Sequence, residues 1–231
     1  MSIFTAEELT AIGLSLKVAA VAAIASLPPG IACGWLLARR RFPGKALLDA
    51  LLHLPLVMPP VVTGYALLVL LGTQGPVGRF LLAQFGIQFA FRWTGAALAC
   101  AVMGFPLMVR AIRLSIEATD RRLEAAAATL GAGPWRVFFS ITLPLAWPGL
   151  VAGMMLAFAK ALGEFGATIT FVSNIPGETQ TLSSAIYGLM QVPGMEAGVW
   201  RLAGVALAIS LAALLLSEWL VRRPHPREDE V

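Results

Sequence analysis

Lys160 and Glu164 are the residues of this chain whose types and setting most directly imply chemistry: opposite charges four positions apart inside an otherwise apolar run. Ionisable groups are costly within a hydrocarbon layer and persist there where they face a cavity or one another. At i and i+4 these two share a helix face. Two roles stay open. The pair can border the path of an anion, with Lys160 supplying positive potential and Glu164 keeping that potential from becoming a trap. Alternatively it is a neutralised ion pair that fixes helix packing or a gate. Pro59 and Pro60, with Pro55, interrupt another apolar run, and a helix broken in this way needs neighbours or water for its freed carbonyls, which suits a position on a path. Thr168 is grouped with these path or gate residues. With Gly163, Gly166 and Thr170 it also forms a small-residue stretch that permits close helix approach.

Other chemistries lack their residues. Cys33 and Cys100 lie inside apolar runs and read as reduced packing residues, and no CxxC, Cys/His cluster or HExxH offers a metal site. His53 stands alone near the start of an apolar run, as a packing or interfacial residue. Lys17 lies where a long side chain can snorkel to the headgroups. An enzyme working within the membrane would need a metal cluster, an acidic dyad or an activated Ser or Cys, so no catalytic residue is assigned. No GxxxxGK[ST] phosphate loop occurs, so any ATP must be bound by another chain. No cofactor is expected on this one.

The elements that must position these residues are helices in lipid. Of the 231 residues 58% are hydrophobic and 13% charged, about half the charge of an ordinary soluble domain, and the apolar residues come in continuous runs. About 20 apolar residues span a bilayer as a helix. Five stretches qualify, at about 9–38, 46–72, 93–114, 138–171 and 199–221. The expectation is one all-α, polytopic membrane domain over residues 1–231. Thr5 and Glu8 have the spacing of a capping box that opens the first helix, and Pro28-Pro29 is expected to bend or break it. The N-terminus lacks the basic flank and cleavage site of a secretory signal, so the first run is expected to stay in the mature protein. Segment 172–198 holds a short apolar stretch, 182–192, too short to span. It is either a sixth, re-entrant element or a solvated hairpin.

Orientation follows from basic residues near the span ends. Arg39, Arg40, Arg41, Lys45, Arg110, Arg113, Arg121, Arg122, Arg136, Arg222, Arg223 and Arg227 fall on one side, and only Arg79, Arg92 and Arg201 on the other. The richer side is expected to be cytoplasmic, with the N-terminus outside and the C-terminus inside. The basic residues flank apolar runs and form no soluble basic face, so nucleic acid is not an expected partner.

Segment 115–144 carries the strongest functional signal. Leu123 to Pro134 reads LEAAAATLGAGP, a short Ala-rich helix with a sharp stop. Ala favours helix, Gly131 or Gly133 can take the left-handed conformation that ends one, and Pro134 prevents continuation. Such a helix can lie closely in another protein's groove, or it is an ordinary turn between spans; local sequence leaves both open.

Gly131, Ile141 ten residues later and Leu143-Pro144 beyond it resemble the EAA-G-I-LP loop of ABC-importer permeases, the coupling helix that inserts into the ATPase subunit. The residues this implies are Glu124, Ala126, Ala127, Gly131, Gly133, Ile141, Leu143 and Pro144. One departure stands: the pattern places its Glu six residues before the Gly, where this chain has Ala125, with Glu124 one residue earlier. His53 to Tyr65 (HLPLVMPPVVTGY), Gly104 to Arg113 (GFPLMVRAIR) and Leu162 to Thr179 (LGEFGATITFVSNIPGET) extend the resemblance over nearly the whole chain, to the molybdate permeases of ABC importers.

That resemblance implies a MetI-like permease fold in the bacterial inner membrane and a homodimer of the chain surrounded by lipid. It also implies a cytoplasmic ABC ATPase dimer that binds ATP and Mg, and an external, periplasmic molybdate-binding protein. The alternatives are a sulfate or tungstate permease, tungstate and sulfate being like-shaped dianions, or an ion-coupled secondary transporter using Lys160 and Glu164. In a cysteine-free background, Gly44→Cys is expected to resist a membrane-impermeant thiol reagent in intact cells and Gly177→Cys to react. The reverse labelling overturns the orientation.

Overall fold

The first helix begins where its cap demands. The Thr5 hydroxyl accepts from the Glu8 N–H at 3.2 Å while a Glu8 carboxylate oxygen accepts from the Thr5 N–H at 2.8 Å, closing the capping box. The structure, a computed structural model, describes residues 4–221, which are helical with no strand among them. Helix α1 (Ala6–Arg39) runs unbroken through Pro28-Pro29, so the expected break does not form. Lateral packing holds the helix together there. Just past the prolines, Gly34 lies so close to Ile112 of α5 (Trp93–Ala118) that a Cβ would sit 2.9 Å from the Ile112 side chain.

The second apolar run is two helices, α2 (Lys45–Val57) and α3 (Pro60–Leu71), whose axes turn through 111°. Pro55 is accommodated inside α2. The break falls at Met58 and Pro59, which are extended, with ψ of 146° and 131°. Pro60 restricts Pro59 to that region. After the short α4 (Pro76–Phe85), α5 forms the centre of the bundle, with α1 on one side and α9 (Trp147–Leu162) on another. Much of the core between them is alanine: Ala19, Ala22, Ala96 and Ala99 are buried around Met103 and Phe171. Between helices in lipid the drive is close packing, since lipid tails are as apolar as the side chains, and small residues let backbones approach.

Residues 138–171 do not form the single span expected. The chain from α5 passes through α6 (Arg121–Thr129), α7 (Pro134–Val137), a π-helical turn (Phe138–Thr142) and α8 (Leu143–Leu145), then bends by 67° into α9. Pro148 occupies the first turn of α9, where its missing N–H costs nothing. A second break at Gly163–Phe165 separates α9 from α10 (Gly166–Val172). Among the described residues, three helices are individually long and apolar enough to cross a membrane, and up to five spans result if each bent pair is one.

The segment after α10 turns back into the bundle. Its short helix α11 (Leu182–Met190) starts with the Leu182 N–H on the Ser15 hydroxyl, 2.5 Å away, and the Ser183 hydroxyl on the Leu162 carbonyl at 3.0 Å. Ser15 is about 13 Å along α1 from its first turn, at 1.5 Å per residue. Thr179, Thr181, Leu182 and Ser184 are buried. Of the two readings of 172–198, the solvated hairpin is not the one formed, because the segment packs against α1 and the end of α9. The last helix, α12 (Glu196–Val221), packs on α11 and α9 and is tied to α1 by Arg201 and Glu8, 2.7 Å apart. Arg222, Arg223 and Arg227 lie outside the described residues.

At Gly64 the α3 backbone rests on Ala167 of α10, and a Cβ there would overlap the Ala167 carbonyl. Gly64→Ala is therefore expected to destabilise the detergent-solubilised protein by about 1–3 kcal/mol, the usual cost of overpacking. Gly163→Ala, where nothing lies within 4 Å of the new Cβ, serves as control. Equal melting temperatures for the two variants would mean that α3 and α10 are not in contact.

Candidate translocation and coupling sites

Glu164 stands in the break between α9 and α10. Gly163 (φ −89°, ψ 4°) ends the first helix, and Phe165 (φ −127°, ψ −48°) precedes the second without offering a side-chain cap. The Glu164 carboxylate supplies what is missing. One oxygen, Oε1, accepts from the Ala167 N–H in the first turn of α10 at 3.0 Å, where the helix dipole also favours negative charge. The other, Oε2, accepts from Lys160 Nζ at 2.6 Å. The two partners differ in access: the Glu164 side chain is 1% exposed and that of Lys160 29%. The carboxylate is thus sealed, while the Lys160 side chain is partly exposed.

Neighbouring expectations resolve by the same geometry. Thr168 is buried, and its hydroxyl donates to the carbonyls of Phe165 (2.9 Å) and Glu164 (3.3 Å), so it braces α10 from within and exposes nothing to a path. Pro60 touches Gly166, where a Cβ would lie 2.8 Å from the ring, and Pro59 is exposed beside it. Gly163 is no packing residue; it faces open space. Lys17 does not reach away from the bundle, because its Nζ lies 3.6 Å from the centre of the Trp93 ring. His53 is not isolated: Nδ1 is 2.8 Å from the Asp49 carbonyl, and Asp49 in turn pairs with Arg113 at 3.0 Å.

The second site is the loop containing α6. Asp120 caps this helix by accepting from the Arg122 N–H at 2.9 Å. Gly131 ends it with φ +85°, its N–H on the Ala128 carbonyl and the Ala132 N–H on the Ala127 carbonyl, each at 3.0 Å. Gly133, with φ −67°, is not left-handed and instead opens α7. Ala126 is exposed and Ala127 half-buried, Ile141 and Leu143 are half-buried, and Pro144 is exposed. Large apolar side chains stand out from this surface: Leu130 is 89% and Trp135 75% exposed, with Phe139 stacked on Trp135.

Glu124 points the other way. Its Oε1 accepts from Arg39 Nε and Nη2 (3.1 and 2.8 Å) and from the Thr142 hydroxyl (2.8 Å), while Arg39 Nη2 also reaches the Thr119 carbonyl. The residue ties α6 to the end of α1 and to the π-helical turn. Arg39 and Thr142 carry no local signal for this role. Arg39 is 85 positions from Glu124 and reads in sequence only as one of three consecutive arginines.

Residues 30–226 match the model of the family described as "Binding-protein-dependent transport system inner membrane component". The chain is 62% identical to the "Molybdenum transport system permease protein ModB" of Escherichia coli (strain K12), over 97% of this chain and 98% of that protein. It is 39% identical to the "Sulfate transport system permease protein CysT" of the same organism, covering 87% and 72%. Among solved structures, it superposes at a TM-score of 0.70 and 18% identity on a bacterial alginate ABC transporter in complex with a pentasaccharide-bound periplasmic protein, covering 94% of this chain and 80% of that one. It also superposes, at 0.70 and 15%, on an inward-facing methionine ABC transporter, covering 93% and 94%.

The paired geometry makes the two single variants unequal. Lys160→Met leaves Glu164 as an uncompensated buried charge, a loss of about 3–5 kcal/mol, and is expected to lower the amount of folded protein in the membrane. Glu164→Gln keeps an acceptor for the Ala167 N–H and is expected to fold near normally. The double variant is expected to recover the abundance that Lys160→Met loses. Equal abundance of all three, by quantitative immunoblot of membranes, removes the ion pair from the fold's requirements.

Proposed function

The chain belongs to the family of binding-protein-dependent transport system inner membrane components, and from that premise we propose that it forms the molybdate pathway of an ATP-driven importer. It is a multi-pass inner-membrane protein and the non-catalytic transport subunit. A separate ATPase chain supplies the energy, and a binding protein delivers the anion. Two copies of the chain enclose the path within the lipid, with the Arg-rich end and α6 in the cytoplasm, and the N-terminus outside. ATP and Mg²⁺ are bound by the partner. The distribution of Arg and Lys supports the orientation.

The observation that carries this reading is the surface around α6: a short Ala-rich helix with Leu130 and Trp135 exposed, held rigidly to its own chain by the Arg39–Glu124 and Thr142–Glu124 bonds. Apolar side chains projecting from a polar loop mark a protein contact. A helix fixed at its base can transmit a push. The connection runs from α6 through the π-helical turn and α8 into α9, whose far end is Lys160 and the break at Glu164. Displacement of α6 thus reaches the place where α9, α10 and α3 meet. At that place Lys160 offers one partly exposed positive charge, partly cancelled by Glu164, enough to attract a dianion and too little to hold it.

Sulfate and tungstate share the shape and charge of molybdate, so selection rests with the delivering protein. The relatives favour molybdate over sulfate, at 62% against 39% identity.

The test is ATP hydrolysis by the complex of this chain, its ATPase and its binding protein in lipid. Molybdate-loaded binding protein is expected to stimulate hydrolysis, and sulfate to support no stimulation. Ala126→Leu adds bulk to the exposed face of α6, and Gly131→Val places a β-branched residue at φ +85°, a strain of about 1–2 kcal/mol or more. Both are expected to leave the bundle folded and to reduce stimulation at least tenfold. Wild-type stimulation in both variants, at equal subunit stoichiometry, would make the loop a connector only.

A further inference from the structure

Around Arg110, helix α5 is flanked by α1, α2 and α9. Gly104 and the backbone of Met108 face α9, against Ala157 and Gly153, while the Met108 side chain lies on Gly30 of α1. Ile112 faces α1, against Gly34, and Arg113 faces α2 through Asp49. At about 100° per residue, Arg110 falls between the α2 and α9 sides, on the arc away from α1. It is exposed and makes no hydrogen bond or ion pair among the described residues.

On α9, Gly153 and Ala157 face α5, while Met154 and Phe158 line an apolar groove with α1 and α12. Leu156 and Gly163 stand exposed on the remaining side, with Lys160 at its edge. The open faces of α5 and α9 therefore lie on one side of the helix pair, the side away from α1. At the far end of that side, Pro60 and Gly64 of α3 rest on Gly166 and Ala167 of α10. At the Arg-rich end of α5 a cavity of about 500 Å³ lies between α2 and α5, lined among others by Asp49, His53, Arg110, Arg113, Leu114 and Glu117. Cys100 Sγ lies 3.6 Å from the Ala161 carbonyl, which sets Lys160 level with that part of α5. Arg110 is about 15 Å further along α5, at 1.5 Å per residue.

We infer that Arg110 is a second cationic station on the pathway, a weak exit site for the tetrahedral dianion after it leaves Lys160. The inference rests on the importer reading. Arg113 already holds both carboxylates, donating to Asp49 Oδ2 at 3.0 Å and Glu117 Oε1 at 2.8 Å, which leaves Arg110 as the cation without a partner in the cavity. Two arginines against Asp49 and Glu117 sum to no net charge, so an anion is drawn to Arg110 locally but not retained, as release requires. The guanidinium can bond two oxygens of such an anion at once.

The experiment uses the assembled importer in lipid nanodiscs, with Cys33 and Cys100 replaced by Ala and Leu114→Cys as reporter. Its modification by an anionic and a neutral thiol reagent is timed with Arg, Lys or Gln at position 110. Arg110→Gln is expected to slow the anionic reagent about threefold, the effect of one charge at roughly 6 Å in a water-like medium. The neutral reagent is expected to react unchanged, and Arg110→Lys to keep the fast rate. Millimolar molybdate is expected to slow the anionic reagent with Arg or Lys at 110 and not with Gln. Molybdate uptake by the same complex in proteoliposomes is expected to fall several-fold in Arg110→Gln and not in Arg110→Lys. Identical anionic rates for Arg and Gln overturn the exit site. Protection that follows the content of anionic lipid and ignores molybdate overturns it as well, assigning the cavity to a lipid phosphate. Absence of molybdate transport by the unmodified complex overturns the importer reading and this inference with it.

Discussion

A carboxylate sealed from water is costly unless its charge and its lone pairs are both answered nearby. Glu164 is answered on both sides, by Lys160 Nζ and by the first turn of α10. That pair of hydrogen bonds, accepted from an ammonium and from a helix start, permits the chain to interrupt a span at Gly163–Phe165 without leaving the new helix end unsatisfied. Much of the upper bundle depends on the interruption. It directs α10 against α3 at Gly64, and it opens the room into which the start of α11 turns back, with Ser183 on the Leu162 carbonyl and the Leu182 N–H on the Ser15 hydroxyl.

Where a soluble protein would rely on the hydrophobic effect to gather its helices, this one relies on closeness. Alanines line the contacts of α1 and α5, and glycines at 34, 64, 104 and 153 bring backbones together at points where one added carbon collides. Polar bonds then fix the ends: Glu8 with Arg201 at one side, Arg39 and Arg113 with their carboxylates at the other. The apolar middle sets how near the helices lie, and the charged ends set their register.

The same division explains how a push at α6 could matter far away. A loop attached only by its chain ends would absorb motion, yet α6 is clamped by Glu124 to α1 and to the π-helical turn ahead of α9. The surface that remains, with Leu130 and Trp135, is apolar and outward. Internal bracing and the exposed apolar surface are thus carried by different faces of one short segment, with Glu124 facing inward.

By itself the sequence determined the features that composition and local periodicity dictate: helices in lipid, the capped start at Thr5, an interruption within the Pro55, Pro59 and Pro60 stretch, an Ala-rich helix stopped by Gly131 or Gly133, and the i, i+4 contact of Lys160 with Glu164. Each of these needs only neighbours a few residues away. Only the tertiary structure decided that α1 continues through Pro28-Pro29, that Gly163 is open while Gly64 is pressed on a backbone, that Thr168 bonds within its own helix, and that Arg39 answers Glu124. Those outcomes depend on which surfaces meet across tens of residues. A proline's missing bond or an exposed hydroxyl has no fixed consequence until the packing around it is known.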